Sequence, residues 1–170
     1  MTSQPEAILI AGANGAGKTT FARQFLRVRY PAAKFLNADE IQREDSGFAH
    51  PVAAGRELLR RLDELASLGK TFAVETTLSS RSYVERLRSW AGSGYKTCLH
   101  FIELPSADHA VQRVATRVAA GGHAVPEGDI RRRFERGLVL FSAVYKPFVD
   151  RWYHWFSDDQ GLRLVNQQHN

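Results

Sequence analysis

A chain of 170 residues, 44% hydrophobic and 24% charged, has the length and apolar content for one well-cored domain. Its 23 Lys+Arg against 18 Asp+Glu leave a net charge of +5, which suits phosphorylated ligands but is too mild and dispersed to argue for nucleic acid. The apolar runs are too short to span a bilayer, Met1–Glu6 is short and polar rather than a targeting peptide, and the single Cys98 cannot form an internal disulfide, so a cytoplasmic protein without a membrane partner is expected.

In chain order, the first element is the apolar run Ala7–Ala11, read as a buried strand, which leads into G-A-N-G-A-G-K-T over Gly12–Thr19. This is the pattern of a phosphate-binding loop. Gly12, Gly15 and Gly17 allow tight turning, so that the backbone N–H groups through Ala13, Asn14 and Ala16 can surround a phosphate. Lys18 adds a point charge for the β- and γ-phosphates, and the Thr19 hydroxyl is a ligand for Mg²⁺. A helix over Lys18–Arg29, with Thr20 in its first turn, aims its positive end at the same anion. The loop implies a nucleoside triphosphate, but not what becomes of the γ-phosphate.

Further strand-like runs follow at Lys34–Asn37, Thr71–Glu75, Thr97–Leu104 and Leu162–Val165. Helical patterns lie at Val52–Leu68, Ser80–Ala91, Ala107–Ala120, Glu127–Val144 and Pro147–Phe156. Gly69 is a helix stop, Ser79 or Ser80 can cap the next helix, and Ser106 or Asp108 can start the one after. The alternation predicts an α/β fold of the P-loop nucleotide- and small-molecule-kinase type, with a central parallel five-stranded sheet flanked by helices in a single domain over 1–170. No repeat, low-complexity tract or linker divides it. Cys98, within an apolar run, reads as a small core residue.

Ligands of such sheets bind beyond the carboxyl ends of the strands. There the phosphate loop meets Asn37-Ala38-Asp39-Glu40 and Glu75-Thr76-Thr77. Asp39 is a candidate general base for an attacking hydroxyl, or else the N-cap of a short helix through Ile41 and Gln42. Glu75 can hold a Mg²⁺-bound water or a substrate hydroxyl, or else pair with Arg81. Thr76 and Thr77 alternate in direction, so one faces the site. Arg81 either reaches an anionic substrate or is solvated, while Glu44 and Asp45 read as surface loop residues.

The segment from Arg113 to Arg136 has the composition of a closing lid. Arg113 and Arg117 share a helix face, Gly121-Gly122 breaks that helix, and Pro126 permits a second. Arg131, Arg132 and Arg133 fall near its start, above a stripe of Ile130, Phe134, Leu138 and Phe141. Basic charge there opposes the helix dipole unless an anion answers it. Arg117, Arg132 and Arg133 are the candidates for stabilising a transferring phosphoryl group, the alternative being a solvated basic surface. His123 beside the hinge reads as a loop-stabilising hydrogen-bonder. The aromatics Tyr145, Phe148, Trp152, Tyr153, Trp155 and Phe156 read as core of a helix packed on the sheet, and Asn166 as a weak candidate for a base contact.

Four segments occur together in order: G-A-N-G-A-G-K-T-T, N-A-D-E-I at Asn37–Ile41, E-T-T-L-S-S-R at Glu75–Arg81 and G-G-H-A-V-P-E at Gly121–Glu127. Over about Ile8 to Leu140 the chain resembles the zeta-toxin family of small P-loop kinases, especially its short chromosomal members. That resemblance implies ATP-dependent phosphorylation of the 3′-hydroxyl of UDP-N-acetylglucosamine. It implies phosphate and Mg²⁺ contacts at Lys18 and Thr19, a catalytic base at Asp39, sugar-nucleotide binding at Glu75 and Thr77, charge stabilisation by Arg117 with Arg132 or Arg133, and a separate antitoxin as partner. The chain is shorter than the plasmid members and lacks their substrate-side insertions between Arg81 and Thr97. Other readings are a gluconate-, shikimate- or nucleotide-type kinase, a polynucleotide 5′-kinase, and a nucleotide-dependent switch. A GTPase switch would need a base-reading N-K-x-D segment, which is absent.

Overall fold

The computed structural model of the chain describes residues 4–44 and 51–169, so Met1–Ser3 and Asp45 lie outside the described residues. β1 (Glu6–Gly12) runs through the centre and delivers the phosphate loop to α1 (Lys18–Arg29). There follow β2 (Lys34–Leu36), α2 (Ala38–Glu44), α3 (Pro51–Ser67), β3 (Phe72–Thr76), α4 (Val84–Gly92), β4 (Lys96–Glu103), α5 (Ala107–Ala119) and α6 (Glu127–Leu140). A π turn (Phe141–Tyr145) and a 3-10 turn (Lys146–Phe148) extend α6, and β5 (Arg151–Asp158) and β6 (Gly161–His169) close the chain.

The strands form one sheet in the order β2-β3-β1-β4-β5-β6. β1 pairs parallel with β3 and β4, β2 with β3, and β4 with β5. Because β1 is covered on both faces, its residues alternate between two cores. Ala7, Leu9 and Ala11 join Leu58, Leu62, Val74, Leu87 and Phe141, whereas Ile8 and Ile10 join Phe21, Leu26, Cys98, Ala110 and Val114. Cys98 is therefore a core residue, as its apolar surroundings in the sequence indicated.

The α/β fold is the one expected, but its far edge differs. Pro147–Phe156 is not a helix: Pro147 lies in the 3-10 turn and β5 begins at Arg151. The aromatic residues alternate with the two-residue period of a strand, Trp152 entering one core while Tyr153 and Trp155 pack on the other. Phe148 is exposed and takes the Arg88 guanidinium over its ring, centred 4.9 Å away. β6 then pairs antiparallel with β5, so the sheet has six strands and one antiparallel edge instead of five parallel strands.

Local signals hold at several joints. Ser106 caps α5 by accepting from the His109 amide at 3.1 Å, and Gly69 ends the run after α3 at φ +61°. Ser79 and Ser80 do not cap α4. Their hydroxyls bond instead to those of Thr77 and Ser82, and the helix starts at Val84.

Candidate active site at the carboxyl ends of the strands

Gly12 leaves β1 at φ +147°, and a Cβ there would lie 2.4 Å from the Ile102 carbonyl oxygen. Only glycine lets the loop start this close to β4. The loop ends at Gly17, after which Lys18 opens α1 with no acidic residue in the first turn, so the helix's positive end is left for a ligand. Lys18 is buried and its ammonium donates to the Ala13 carbonyl at 2.9 Å. Burial pulls its pKa below the usual lysine value, with the charges of Glu75 and then Asp39 opposing that pull.

Glu75, at the end of β3, is the hub of the site. One carboxylate oxygen accepts from the Thr19 hydroxyl at 2.7 Å and from Asn37 Nδ2 at 2.8 Å, and the other stands 3.8 Å from Lys18 Nζ. Glu75 thus pairs with Lys18, not with Arg81. A hydroxyl and a carboxylate side by side at the phosphate loop are hard oxygen donors of the kind Mg²⁺ takes, so the residues present fit that ion.

Asn37 also resolves the two readings of Asp39. The Asn37 side-chain oxygen accepts from the Asp39 amide at 2.8 Å and its carbonyl from the Ile41 amide, which makes Asn37 the cap of α2. Asp39 therefore does not serve as the cap. Among the described residues no hydrogen bond engages its carboxylate, which lines two cavities at once.

Three cavities meet here. One of about 480 Å³ lies over Gly15, Gly17, Lys18, Thr19 and Thr20, with Arg113 and Arg117 opposite. A second, of about 550 Å³, is walled by Asn14, Asp39, Glu75 and the hydroxyls of Thr76, Thr77, Ser79 and Ser80, with Arg132, Arg133 and Arg136 facing them. The third, of about 580 Å³, runs between Asp39, Gln42 and Arg43 on α2 and Arg117, Gly121, Gly122 and His123. Lys18, Thr19, Asp39 and Glu75 are each shared by two of them.

The arginines divide by role. Arg117 donates to the His123 carbonyl at 2.8 Å, while its buried Nε has no hydrogen-bond partner among the described residues. His123 thus acts on the loop through its backbone. Arg133 donates to Asn14 Oδ1 of the phosphate loop at 3.3 Å. The charge opposing the α6 dipole is answered within the protein: Arg131 pairs with Asp108 and Glu127, Arg132 with Asp129 at 2.9 Å, and Arg133 stands 3.9 Å from Asp129. No external anion is needed to explain the arginine triplet, and Arg131 is bound away from the cleft. Arg113 ties α5 to β5 through Ser157 and the Asp158 carbonyl, each at 2.9 Å. Arg81 is exposed and, like Asn166, lines none of the three cavities.

Sequence reasoning placed Asn37 at the site without a role of its own and did not count Arg136 among the candidate arginines. Asn37 sits in the same N-A-D-E segment as Asp39, and Arg136 follows Arg132 by one helical turn, so both carried a signal.

Residues 8–136 match the model of a protein family described as an AAA domain. An uncharacterized protein of Haemophilus influenzae is 27% identical over 133 residues, which make up 77% of this chain and 94% of that protein. Among solved structures, a chain from the PezAT chromosomal toxin–antitoxin system of Streptococcus pneumoniae is similar with a TM-score of 0.72 at 21% identity, over 98% of this chain and 72% of that one. A gluconokinase from Sinorhizobium meliloti is similar with a TM-score of 0.57 at 16% identity, over 90% of this chain and 82% of that chain. At these identities the likeness is one of fold.

Proposed function

The chain belongs to the AAA-domain family, and from that membership and the cleft we propose that it transfers the γ-phosphate of ATP to a hydroxyl of a sugar nucleotide, UDP-N-acetylglucosamine being the acceptor of first choice. It is an ATP-dependent phosphotransferase of the P-loop kinase fold. One observation carries the reading: the Asp39 carboxylate, without a hydrogen bond among the described residues, stands on the wall of the hydroxyl-lined cavity that shares Lys18 and Glu75 with the phosphate-loop cavity.

The triphosphate lies along Gly12–Thr20, its β- and γ-oxygens beside Lys18. The acceptor hydroxyl approaches from the other cavity and gives its proton to Asp39. Its oxygen bonds to the γ-phosphorus, the bond from that phosphorus to the β,γ-bridging oxygen breaks, and ADP leaves with the electron pair. Thr19 and Glu75 are the residues that would hold Mg²⁺, which supplies charge neutralisation on the phosphate oxygens. Arg117 and Arg133 offer donors to the equatorial oxygens, Arg117 from the glycine-bounded tip and Arg133 from beside Asn14.

The acceptor cavity supports a polyhydroxylated, anionic molecule. Thr77, Ser79 and Ser80 present hydroxyls on one wall, Arg132 and Arg136 present guanidinium groups on the other, and Leu58 and Tyr83 add apolar surface. A volume near 550 Å³ lies within the usual range for small-molecule sites. Arg81 has no part in it. Among the described residues no helix is long and apolar enough to cross a membrane, and we place the activity in the cytoplasm, where both nucleotides occur. By analogy with the toxin–antitoxin system whose fold it shares, a separate antitoxin protein is the expected macromolecular partner.

The test is acceptor-dependent ADP release with Mg-ATP across UDP-N-acetylglucosamine, gluconate, shikimate and nucleoside monophosphates. Release stimulated by the sugar nucleotide alone supports the reading. Stimulation by another acceptor keeps the kinase and replaces the substrate, and acceptor-independent hydrolysis argues for a switch.

A further inference from the structure

The acceptor hydroxyls sit on the connection between β3 and α4, which regular secondary structure does not hold. Leu78, buried in the core, adopts φ +54° in the middle of it, a left-handed conformation uncommon for a residue with a branched side chain. The Thr76 hydroxyl accepts from the Leu78 amide at 3.0 Å, and Thr77 and Ser79 share a hydrogen bond of the same length. Beyond Ser79 the connection is fastened from outside. The Tyr145 hydroxyl donates to the Ser80 carbonyl at 2.6 Å and accepts from the Tyr83 amide at 3.4 Å.

Tyr145 is fully buried and closes the π turn at the end of α6. A single π turn at the end of an α-helix redirects the side chains that follow it, and such turns recur at functional positions. Burial pushes the Tyr145 phenol above its ordinary pKa, so it stays protonated and able to donate. The same helix carries Arg133 and Arg136 to the opposite wall of the cavity. It also packs directly on the connection: a Cβ at Gly137 would lie 2.9 Å from the Thr77 carbonyl oxygen.

We propose that Tyr145 is a positioning residue for the acceptor: its hydroxyl fastens the connection between β3 and α4 to α6, so that the hydroxyls of Thr77 and Ser79 keep a fixed distance from Arg133 and Arg136. Tyr145 touches no reacting atom. The two walls of the acceptor cavity are thereby one body. This inference rests on the acceptor-cavity reading above and assigns that cavity its support.

The test compares the full chain with Tyr145→Phe, which keeps the buried ring and removes only the hydroxyl. With ATP and UDP-N-acetylglucosamine, the KM for the sugar nucleotide rises by about tenfold, the scale of one lost hydrogen bond, while kcat and the KM for ATP change by less than about twofold. Hydrogen exchange of peptides covering residues 77–83 accelerates, and exchange over residues 8–20 does not. Unchanged acceptor KM with unchanged exchange overturns the proposal. So does a variant whose exchange accelerates throughout, because that marks a general stabiliser. If the parent protein leaves UDP-N-acetylglucosamine unphosphorylated, the acceptor assignment falls by itself, and exchange confined to 77–83 still decides for or against the fastening.

Discussion

Asn37 takes the cap of α2, so both Asp39 carboxylate oxygens remain for the cleft. The two acids then have separate work: Glu75 is committed to Thr19, Asn37 and Lys18, whereas Asp39 is available for a proton. Asp39→Asn is expected to leave Mg-ATP affinity within about twofold, measured by calorimetry, and to lower kcat by about 10²–10⁴-fold, the range for loss of a general base. Full turnover in that variant would remove Asp39 from the mechanism. Arg117→Ala is expected to lower kcat by about 10²–10³-fold with little change in the KM for ATP, since the proposed mechanism has its donors act on charge that develops during transfer. A rise in KM with kcat intact would make it a ground-state contact. That Lys18, Thr19, Asp39 and Glu75 gather at one cleft was legible in the sequence, because each lies in a short motif at a strand end. Their hydrogen bonding was not, since it depends on Asn37 reaching Glu75 at the end of the neighbouring strand, and local spacing carries no record of that contact.

At the scale of elements, the caps and buried polar groups set where stability is lost. Ser106→Ala removes the hydroxyl that accepts from the His109 amide and is expected to cost about 1 kcal/mol, read from urea unfolding, with turnover at low temperature unchanged. A neutral result would mean that water replaces the cap. His100, buried in β4 beneath Tyr153, has its pKa pulled down to about 3 by desolvation, with the Arg151 charge adding to the pull. Its Nδ1 accepts from the Trp155 indole at 3.1 Å. The unfolded chain binds this proton near pH 6.5 and the folded protein does not, so stability is retained above pH 6.5 and declines as pH falls from 6.5 towards 3. This one group contributes a slope of about 1.4 kcal/mol per pH unit within that window. Unfolding at pH 6.5, 5.5 and 4.5 should show that slope, and His100→Gln should flatten it. An equal slope in the variant would place the effect elsewhere. The helices were readable from their periodicity, but β5 was not. Its aromatic residues match a helical stripe nearly as well as a strand, and only pairing with β4 separates the two. The arginines at the start of α6 were legible as a cluster, while their pairing with Asp108, Glu127 and Asp129 depends on side-chain geometry that the cluster alone does not carry.

For the whole molecule, the cleft is open at the carboxyl edge of the sheet and its three cavities run into one another. Such a site gains order from its ligands. Mg-ATP at about one hundred times its Kd is expected to stabilise the fold by about 2.7 kcal/mol, seen as a higher Tm, and chelating the metal should reverse most of that gain. An unchanged Tm would contradict nucleotide binding at the loop. The claim that joins all the scales is transfer from ATP to a sugar-nucleotide hydroxyl with Asp39 as base. Its most direct test is ³¹P NMR of the protein with Mg-ATP, with and without UDP-N-acetylglucosamine. A new phosphomonoester resonance should appear only when the sugar nucleotide is present and should be absent with Asp39→Asn. ATP that stays intact, or passes only to ADP and inorganic phosphate, would contradict the account.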